Sequence, residues 1–415
     1  MSKPAIHQET KTRDGRTVAA WRGVLSGFCA SLVGIGLARF AYTPLLPAIV
    51  DARWFDPSKA AYLGAANLAG YLAGALAGGF LAGRVSTPTV LRSAMVLATL
   101  AFFACAHPAS FLWFFAWRLL AGFSGGTLMV LAAPLVLPGI SPARRGVASG
   151  AIFMGVGAGV VASGTMVPWL LGGSLSGAWI GLGLLSLLLT AIAWRGWPSD
   201  ALTPAPSAEP CHRAPPARLL LWPLYIEYAL NAAGWVPHMI FLVDFVARGL
   251  GQGLRAGAGY WVLFGAGATA GPVLAGMLAD RIGFGRALRF AFALEIFGVA
   301  APALDVDAFW LAASSVVVGA FVTGTVPLVL GRVQELLAHR PAQQNSAWRT
   351  ATVGFALSQA AAAYGLSFVF SRSGGDYRWL FFIGAVAMAM ALALDIAVSA
   401  RQANSAVAGS TVRFR

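Results

Sequence analysis

GIGLARFAYTPLLP, residues Gly34–Pro47, continues an apolar run that begins near Val24. A run of this length can cross a bilayer as a helix. Arg39 lies well inside it, and a charge in such a segment is costly and by default indicates a functional site. The two prolines remove backbone N–H groups that would bond to carbonyls four residues earlier. The stretch therefore predicts a membrane helix that carries a positive charge and a distorted backbone at the same depth.

The composition extends this reading to the whole chain of 415 residues. Hydrophobic residues make up 58% of it, charged residues 11%, and the mean hydropathy is +0.73. A soluble domain has about 25% charged residues. We expect an all-α membrane protein with twelve transmembrane helices in two six-helix bundles. The predicted spans are 22–49, 60–82, 90–106, 111–137, 147–171, 177–194, 219–247, 256–279, 287–304, 308–331, 348–371 and 378–399.

The positive charges favour one face of the membrane. With the N-terminus in the cytoplasm, 21 of the 29 lysines and arginines fall in cytoplasmic segments and six in external ones; the other two, Arg39 and Arg118, lie within spans. This asymmetry predicts cytoplasmic termini. It also explains the net charge of +14 without a nucleic-acid partner.

A polar, proline-rich segment divides the chain near its midpoint. We predict a cytoplasmic tail at 1–20, one bundle at 21–194, a linker at 195–218, a second bundle at 219–400 and a cytoplasmic tail at 401–415. Pro134–Leu137 recurs as Pro327–Leu330, which is weak support for an internal repeat that would place a substrate site at the midplane. The three cysteines show neither metal-ligand spacing nor a disulfide pattern.

The stretch Gly276–Leu288, GMLADRIGFGRAL, lies in a short predicted cytoplasmic loop. It resembles the loop motif of the major facilitator superfamily. The aspartate can face a helix N-terminus, where the helix dipole favours negative charge. The resemblance implies that Asp280 and Arg281, with Arg332, are gating residues that brace the two halves, although a plain basic loop is the alternative. The first half has Gly83 where the family has its aspartate.

Arg118 begins RLLAGFSGG, which resembles the family's motif on the fourth span. Small residues share its helix face and allow close helix approach, so the arginine should point into protein. It could contact substrate or take part in proton coupling, or it could be a structural charge bonded to carbonyls of a neighbour. Glycines from Gly150 to Gly164 indicate close packing of the fifth span, with a family antiporter marker as the alternative.

The seventh predicted span carries a polar stripe. Glu227, Asn231, Gly234 and His238 share one narrow helix face, and Trp235 borders it. An intramembrane carboxylate can take up and release a proton, so Glu227 is the predicted proton-coupling residue. Asn231, Trp235 and His238 are predicted substrate contacts, with polar contacts between helices as the alternative.

Four other polar side chains lie within predicted spans. By the family's architecture Asn67 and Gln359 could reach the substrate, and Tyr42 would border it. Glu295 lies on a peripheral span, where a structural role is expected.

Residues 34–47 resemble the first-span signature of the bacterial YbfB/YjiJ-like group. The resemblance implies a secondary active transporter in a bacterial inner membrane, and two arginines near one cavity favour a small organic anion. Efflux of drugs or metabolites, and a membrane sensor that transports nothing, are the alternatives. We find no phosphate-binding loop, nucleophile–base pair or metal cluster. We therefore expect no enzyme activity, no cofactor or metal, and a monomer in the lipid bilayer with a small-molecule substrate and a coupling proton.

Overall fold

The described part of the chain is almost entirely helical. The computed structural model describes residues 20–42, 45, 48–49, 52–55, 57–107, 109–199, 217–304, 306–373 and 376–412, and no strand occurs among them. The main helices are α1 (Ala20–Leu37), α2 (Pro57–Ala82), α3 (Thr87–Ala104), α4 (Phe111–Val136), α5 (Arg145–Leu171), α6 (Leu175–Ala193), α7 (Ala217–Gly234), α8 (Val236–Asp244), α9 (Gly253–Ile282), α10 (Phe284–Ala300), α11 (Ala308–Leu336), α12 (Pro341–Arg372) and α13 (Arg378–Val412).

Nine helices in the described part of the chain are long and apolar enough to cross a membrane, and each matches a predicted span. The other three predicted spans take different forms. The span at 60–82 contains the shorter apolar helix Ala66–Ala82. The span at 219–247 is divided at Trp235 between α7 and α8, and the span at 287–304 forms α10, which has 17 residues. The all-α membrane fold is confirmed, and the count of twelve stays a prediction.

Helix α1 is distorted just before Arg39. Its last turns, Leu32–Leu37, are π-helical, and the backbone then turns through residues 38–41. Gly36 allows this part of α1 to touch α5, because a Cβ atom there would lie 2.7 Å from the Cα atom of Gly159. The prolines Pro44 and Pro47, whose effect on the backbone was predicted, lie outside the described residues.

The helices form two groups with corresponding contacts. In the first half α2 packs along α4, and in the second half α9 packs along α11. Pro134 lies inside α4 and Pro327 inside α11, so the short repeat in the sequence falls on corresponding helices. Cys211 and most of the predicted linker lie outside the described residues, as does the N-terminal tail to residue 19.

The two halves meet mainly along α5 and α9. A Cβ atom on Gly150 would overlap the carbonyl of Pro272, and one on Gly157 would overlap the carbonyl of Ala268. These glycines bring the two helix backbones together where no side chain would fit, as close packing in membranes requires. On the outside, large apolar side chains such as Leu112, Trp169 and Phe297 are about three-quarters exposed (75%, 76% and 75%), which is suited to lipid.

Candidate functional site

A small cavity lies between the two halves. It has a free volume of about 40 Å³, which is enough for one or two water molecules. Both halves contribute to its wall, and the side chains are largely aromatic and aliphatic. The lining residues are Ile35, Arg39, Phe40, Tyr71, Met129, Phe153, Val156, Trp235, Val322, Thr323, Val326 and Phe355.

Arg39 carries the positive charge of this cavity. Its Nη2 atom donates to Oε1 of Gln359 at 3.1 Å and lies 3.9 Å from the sulfur of Met239, so it crosses from α1 to the second half. The guanidinium carbon lies 5.3 Å from the ring centroid of Phe40 and 5.8 Å from that of Tyr71. Among the described residues no carboxylate pairs with Arg39. Its partners are a neutral amide, a thioether and two aromatic rings.

Arg118 lies elsewhere, inside the first half. It is 3% exposed, and its Nη1 atom donates to the carbonyl of Ala38 at 2.7 Å. Its guanidinium carbon lies 4.4 Å from the ring centroid of Tyr42. Asn67 donates to the same carbonyl at 3.4 Å and to the carbonyl of Arg118 at 3.2 Å. These three side chains therefore surround the distorted end of α1 and are absent from the cavity wall, so the structure separates the two arginines.

Asn231 lies in the core of the second half and not in the cavity wall. Its Nδ2 atom donates to Oε2 of Glu295 at 2.7 Å, and its Oδ1 atom accepts from Thr325 at 3.3 Å. Glu295 is 0% exposed, and its other oxygen, Oε1, has no hydrogen-bond partner in the described structure. A carboxyl group on a peripheral helix is thus joined to a helix that reaches the cavity.

His238 and Glu227 are also absent from the cavity wall. The Nε2 atom of His238 is 2.8 Å from the hydroxyl of Ser314, which donates to a backbone carbonyl, so Nε2–H is the donor. Glu227 is buried and precedes Met239 by twelve residues, roughly 18 Å along the helix direction. Its charged neighbours are Asp395, Arg332 and Arg289. Of the polar stripe predicted on this span, only the bordering Trp235 lines the cavity.

Asp280 connects the two halves at the end of the molecule where α9 ends and α5 begins, which we call the basic end. Its Oδ1 atom accepts from the backbone N–H of Gly146 at 2.8 Å, and its Oδ2 atom accepts from that of Val147 at 2.9 Å. These N–H groups belong to the first turn of α5 and have no partner within that helix. The carboxylate therefore caps a helix of the opposite half, where the helix dipole favours its charge.

The other two predicted gating residues are placed differently. Arg332 pairs with Glu335 at 2.9 Å, and Glu335 also accepts from the backbone N–H of Phe284. These contacts stay within the second half. Arg281 is exposed at the end of α9. Of the three residues, Asp280 alone has a hydrogen bond across the halves in the described structure.

The first half lacks an equivalent aspartate at the basic end, where Gly83 stands. A different contact occurs nearby: a Cβ atom on Gly79 would overlap the guanidinium group of Arg349 on α12. The indole N–H of Trp348, next in the chain, donates to the carbonyl of Met129 at 3.2 Å. Three kinds of contact thus join the halves here: the helix cap by Asp280, the packing of Arg349 against Gly79, and the hydrogen bond from Trp348 to Met129.

Sequence reasoning missed much of the aromatic wall. Tyr71 follows Asn67 by four residues on α2, so a helix-face argument could have found it. Phe355 precedes Gln359 by four residues on α12 in the same way. Thr323 carried no comparable signal, because hydroxyl residues are frequent in membrane helices. Gln359 and Trp235 were both predicted as substrate contacts, and Trp235 is 2% exposed with an indole N–H that has no described partner.

Comparison with known families and structures gives consistent results. A family model described as "Uncharacterised MFS-type transporter YbfB" matches residues 31–396. The structure resembles that of the proton:xylose symporter XylE (13% identity, TM-score 0.70, 91% of this chain and 95% of that chain). It also resembles the human organic anion transporter MFSD10 (16%, 0.68, 91% and 99%) and the E. coli fucose:proton symporter FucP (13%, 0.66, 89% and 97%). At these identities the likeness shows the fold alone. No curated protein sequence matches the chain significantly.

Proposed function

Because the chain belongs to the MFS-type transporter family described by the YbfB model, we propose that it is a secondary active transporter of a small organic anion. Transport proceeds by alternating access, in which the two halves open the cavity first to one side of the membrane and then to the other. The protein acts as a monomer in the bacterial inner membrane, with both termini in the cytoplasm.

One observation carries the anion proposal: Arg39 faces the cavity between the halves with a neutral side chain as its hydrogen-bond partner. A guanidinium group inside a membrane is costly unless it is paired. A carboxylate would replace the amide oxygen of Gln359 with a charge-assisted bond, which is roughly twice as strong as a neutral one. The free substrate would therefore compete effectively with Gln359 for Arg39.

Asp280 supports the proposed gating. Its two hydrogen bonds to α5 hold the halves together at the basic end, which the charge asymmetry assigns to the cytoplasm. Opening to the cytoplasm would break both bonds and separate the carboxylate from the helix N-terminus that favours its charge, so Asp280 favours the conformation closed on that side. We expect Arg281 and Arg332 to contribute less, because their described contacts do not cross the halves.

The gate can be tested with spin labels on opposite halves. Cysteines replace Arg144 and Arg286 at the basic end in a chain whose native cysteines are serines, and the distance between labels is measured by double electron–electron resonance. In the Asp280→Ala variant we expect the longer distances of an opened basic end to gain population. An unchanged distance distribution would contradict a gating role for Asp280.

A coupling proton is part of the proposal, with Glu227 as its carrier. Glu227 is buried, has charged neighbours of both signs, and makes no hydrogen bond or ion pair with the described residues. Glu295 is the second candidate, because its hydrogen bond to Asn231 joins it to the helix that reaches the cavity. In proteoliposomes, an inward proton gradient should accelerate uptake by the unaltered protein but not by Glu227→Gln. If Glu295→Gln loses this acceleration and Glu227→Gln keeps it, Glu295 is the proton carrier instead.

Uptake of radiolabelled carboxylates into proteoliposomes tests the anion proposal. We expect Arg39→Ala and Arg39→Lys each to lower uptake at least tenfold. Alanine removes the charge, and lysine keeps the charge but loses the fork that binds a carboxylate through two N–H groups. Arg286→Ala, at an exposed arginine of the basic end, is the matched control. If both Arg39 variants transport at the rate of the unaltered protein, the anion site is wrong and efflux of uncharged or cationic compounds becomes the better explanation.

A further inference from the structure

The wall around Arg39 restricts the kind of anion that can bind, and this inference rests on the proposed transport of organic anions. Besides Arg39, the described lining includes no lysine, histidine, aspartate or glutamate. A dianion such as phosphate would bring a second negative charge for which the wall offers no cation, and an uncompensated charge in an apolar site is very costly. The single positive charge of Arg39 therefore matches a ligand that carries a single negative charge.

The cavity wall provides few partners for a ligand rich in hydroxyl groups. Among the described lining residues, Thr323 alone carries an aliphatic hydroxyl group. This hydroxyl already donates to the carbonyl of Ala268 at 2.8 Å. The amide of Gln359 is turned toward Arg39 and the sulfur of Met239. A sugar acid would leave several hydroxyl groups without hydrogen bonds, each at a cost.

The rest of the wall suits a flat apolar group. Phe40 and Tyr71 lie on the side of the first half, and Trp235 and Phe355 lie on the side of the second, with ring centroids of the latter two 5.9 Å apart. Met129 lines the cavity and Met239 contacts Arg39, and both are adaptable side chains that accommodate varied apolar shapes. Such surfaces bind aromatic or branched aliphatic groups.

Trp235 supplies a second donor. Its indole N–H is buried and has no acceptor among the described residues, although an indole nitrogen can only donate and normally finds an acceptor when buried. Trp235 lies one helical turn before Met239, which contacts Arg39. A carboxylate bound to Arg39 would offer this N–H the acceptor that it lacks in the closed cavity.

We propose that the substrate is a monocarboxylate with an aromatic or short branched apolar body, held by Arg39 and by the indole N–H of Trp235. The cavity of about 40 Å³ must widen to admit it, so the ligand is enclosed as the halves close. Arg39 selects the charge, Trp235 orients the carboxylate, and the aromatic wall selects against polar bodies.

Thermal melting of the purified full chain in detergent tests this with four probes at equal concentration. Benzoate is the aromatic monoanion, gluconate the hydroxylated monoanion, inorganic phosphate the polyanion and benzylammonium the aromatic cation. A ligand that binds the folded state raises the melting temperature. We expect benzoate to do so and the other three to have no effect, and we expect Arg39→Gln to abolish the benzoate shift.

Trp235→Phe keeps the aromatic body and removes the donor, so it should weaken benzoate binding about tenfold or more, as expected for a hydrogen bond to a charged group. Trp169→Phe, at a tryptophan that is 76% exposed, is the matched control and should have no effect. An unchanged affinity in Trp235→Phe would overturn the role of the indole.

The remaining outcomes separate this inference from the proposed function. If gluconate or phosphate stabilises the protein at least as well as benzoate, and Arg39→Gln removes that shift, the apolar preference is wrong and anion transport stands. If benzylammonium stabilises it, or if no anion does, the anion site and the inference both fail.

Discussion

Arg39 and Arg118 give the same signal in the sequence and have opposite surroundings in the structure. Both are lone arginines in apolar spans of the first half. Arg118 is 3% exposed and bonded to the carbonyl of Ala38, with the ring of Tyr42 against it. Arg39, the next residue after Ala38, points the other way, into the cavity between the halves, where its partners are neutral side chains.

The difference shows that one backbone distortion creates both environments. At the distorted end of α1 the carbonyl of Ala38 accepts from two side chains outside the helix, Arg118 and Asn67. The same turn directs the following side chain away from the first half. One arginine therefore satisfies the broken backbone, and the other is held by that backbone in a position to meet a ligand.

The largest expected difference between the two arginines is in stability. Arg118→Leu removes the shorter of the two described side-chain bonds to the carbonyl of Ala38 and should destabilise the protein by about 1–3 kcal/mol. Melting in detergent, followed by tryptophan fluorescence, measures this. Arg118→Lys keeps a donor of shorter reach, so its melting temperature should lie between those of Arg118→Leu and the unaltered protein. If Arg118→Leu melts like the unaltered protein but loses anion uptake, the arginines share one role and the comparison is wrong.

Arg39→Leu should give the opposite result. Its removal leaves no backbone carbonyl of the described structure without a partner, and it relieves the cost of a charge held against neutral groups. We expect a melting temperature equal to or above that of the unaltered protein, together with loss of the benzoate shift. If the melting temperature of Arg39→Leu falls as far as that of Arg118→Leu, Arg39 is instead a structural residue.

The sequence predicted the helical membrane fold well because spans are long, apolar and separated by polar turns. It also predicted that Asp280 could face a helix N-terminus, because loop length and charge limit where that carboxylate can go. The family resemblance implied a brace between the halves, but the sequence could not show which helix of the opposite half Asp280 caps. That contact depends on the close approach of α5 and α9, which involves residues more than a hundred positions apart.

The cavity was harder to predict for a related reason. Trp235 and Gln359 were predicted as substrate contacts from polarity and position, and both surround Arg39 in the structure. Asn231 and His238 share a helix face that the period of an ideal helix aligns with Glu227. The break at Trp235 ends that period before His238, which bonds to Ser314 inside the second half. Asn231 keeps the period of α7, but its side chain bonds to Glu295 in the core of that half. A regular helix wheel cannot anticipate such a break.

The smallest effect that bears on the comparison concerns Asn67. Its two hydrogen bonds, of 3.4 and 3.2 Å, are longer than the 2.7 Å bond from Arg118 to the same turn. Side-chain hydrogen bonds within membranes average about 0.6 kcal/mol, so Asn67→Ala should lower stability by about that amount and leave the benzoate shift in place. Combined with Arg118→Leu, it removes both described side-chain donors to the carbonyl of Ala38 and should cost more than the sum of the two single changes. Simple additivity in melting experiments would mean that the carbonyl of Ala38 has another donor, and that the distortion of α1 does not depend on this pair of side chains.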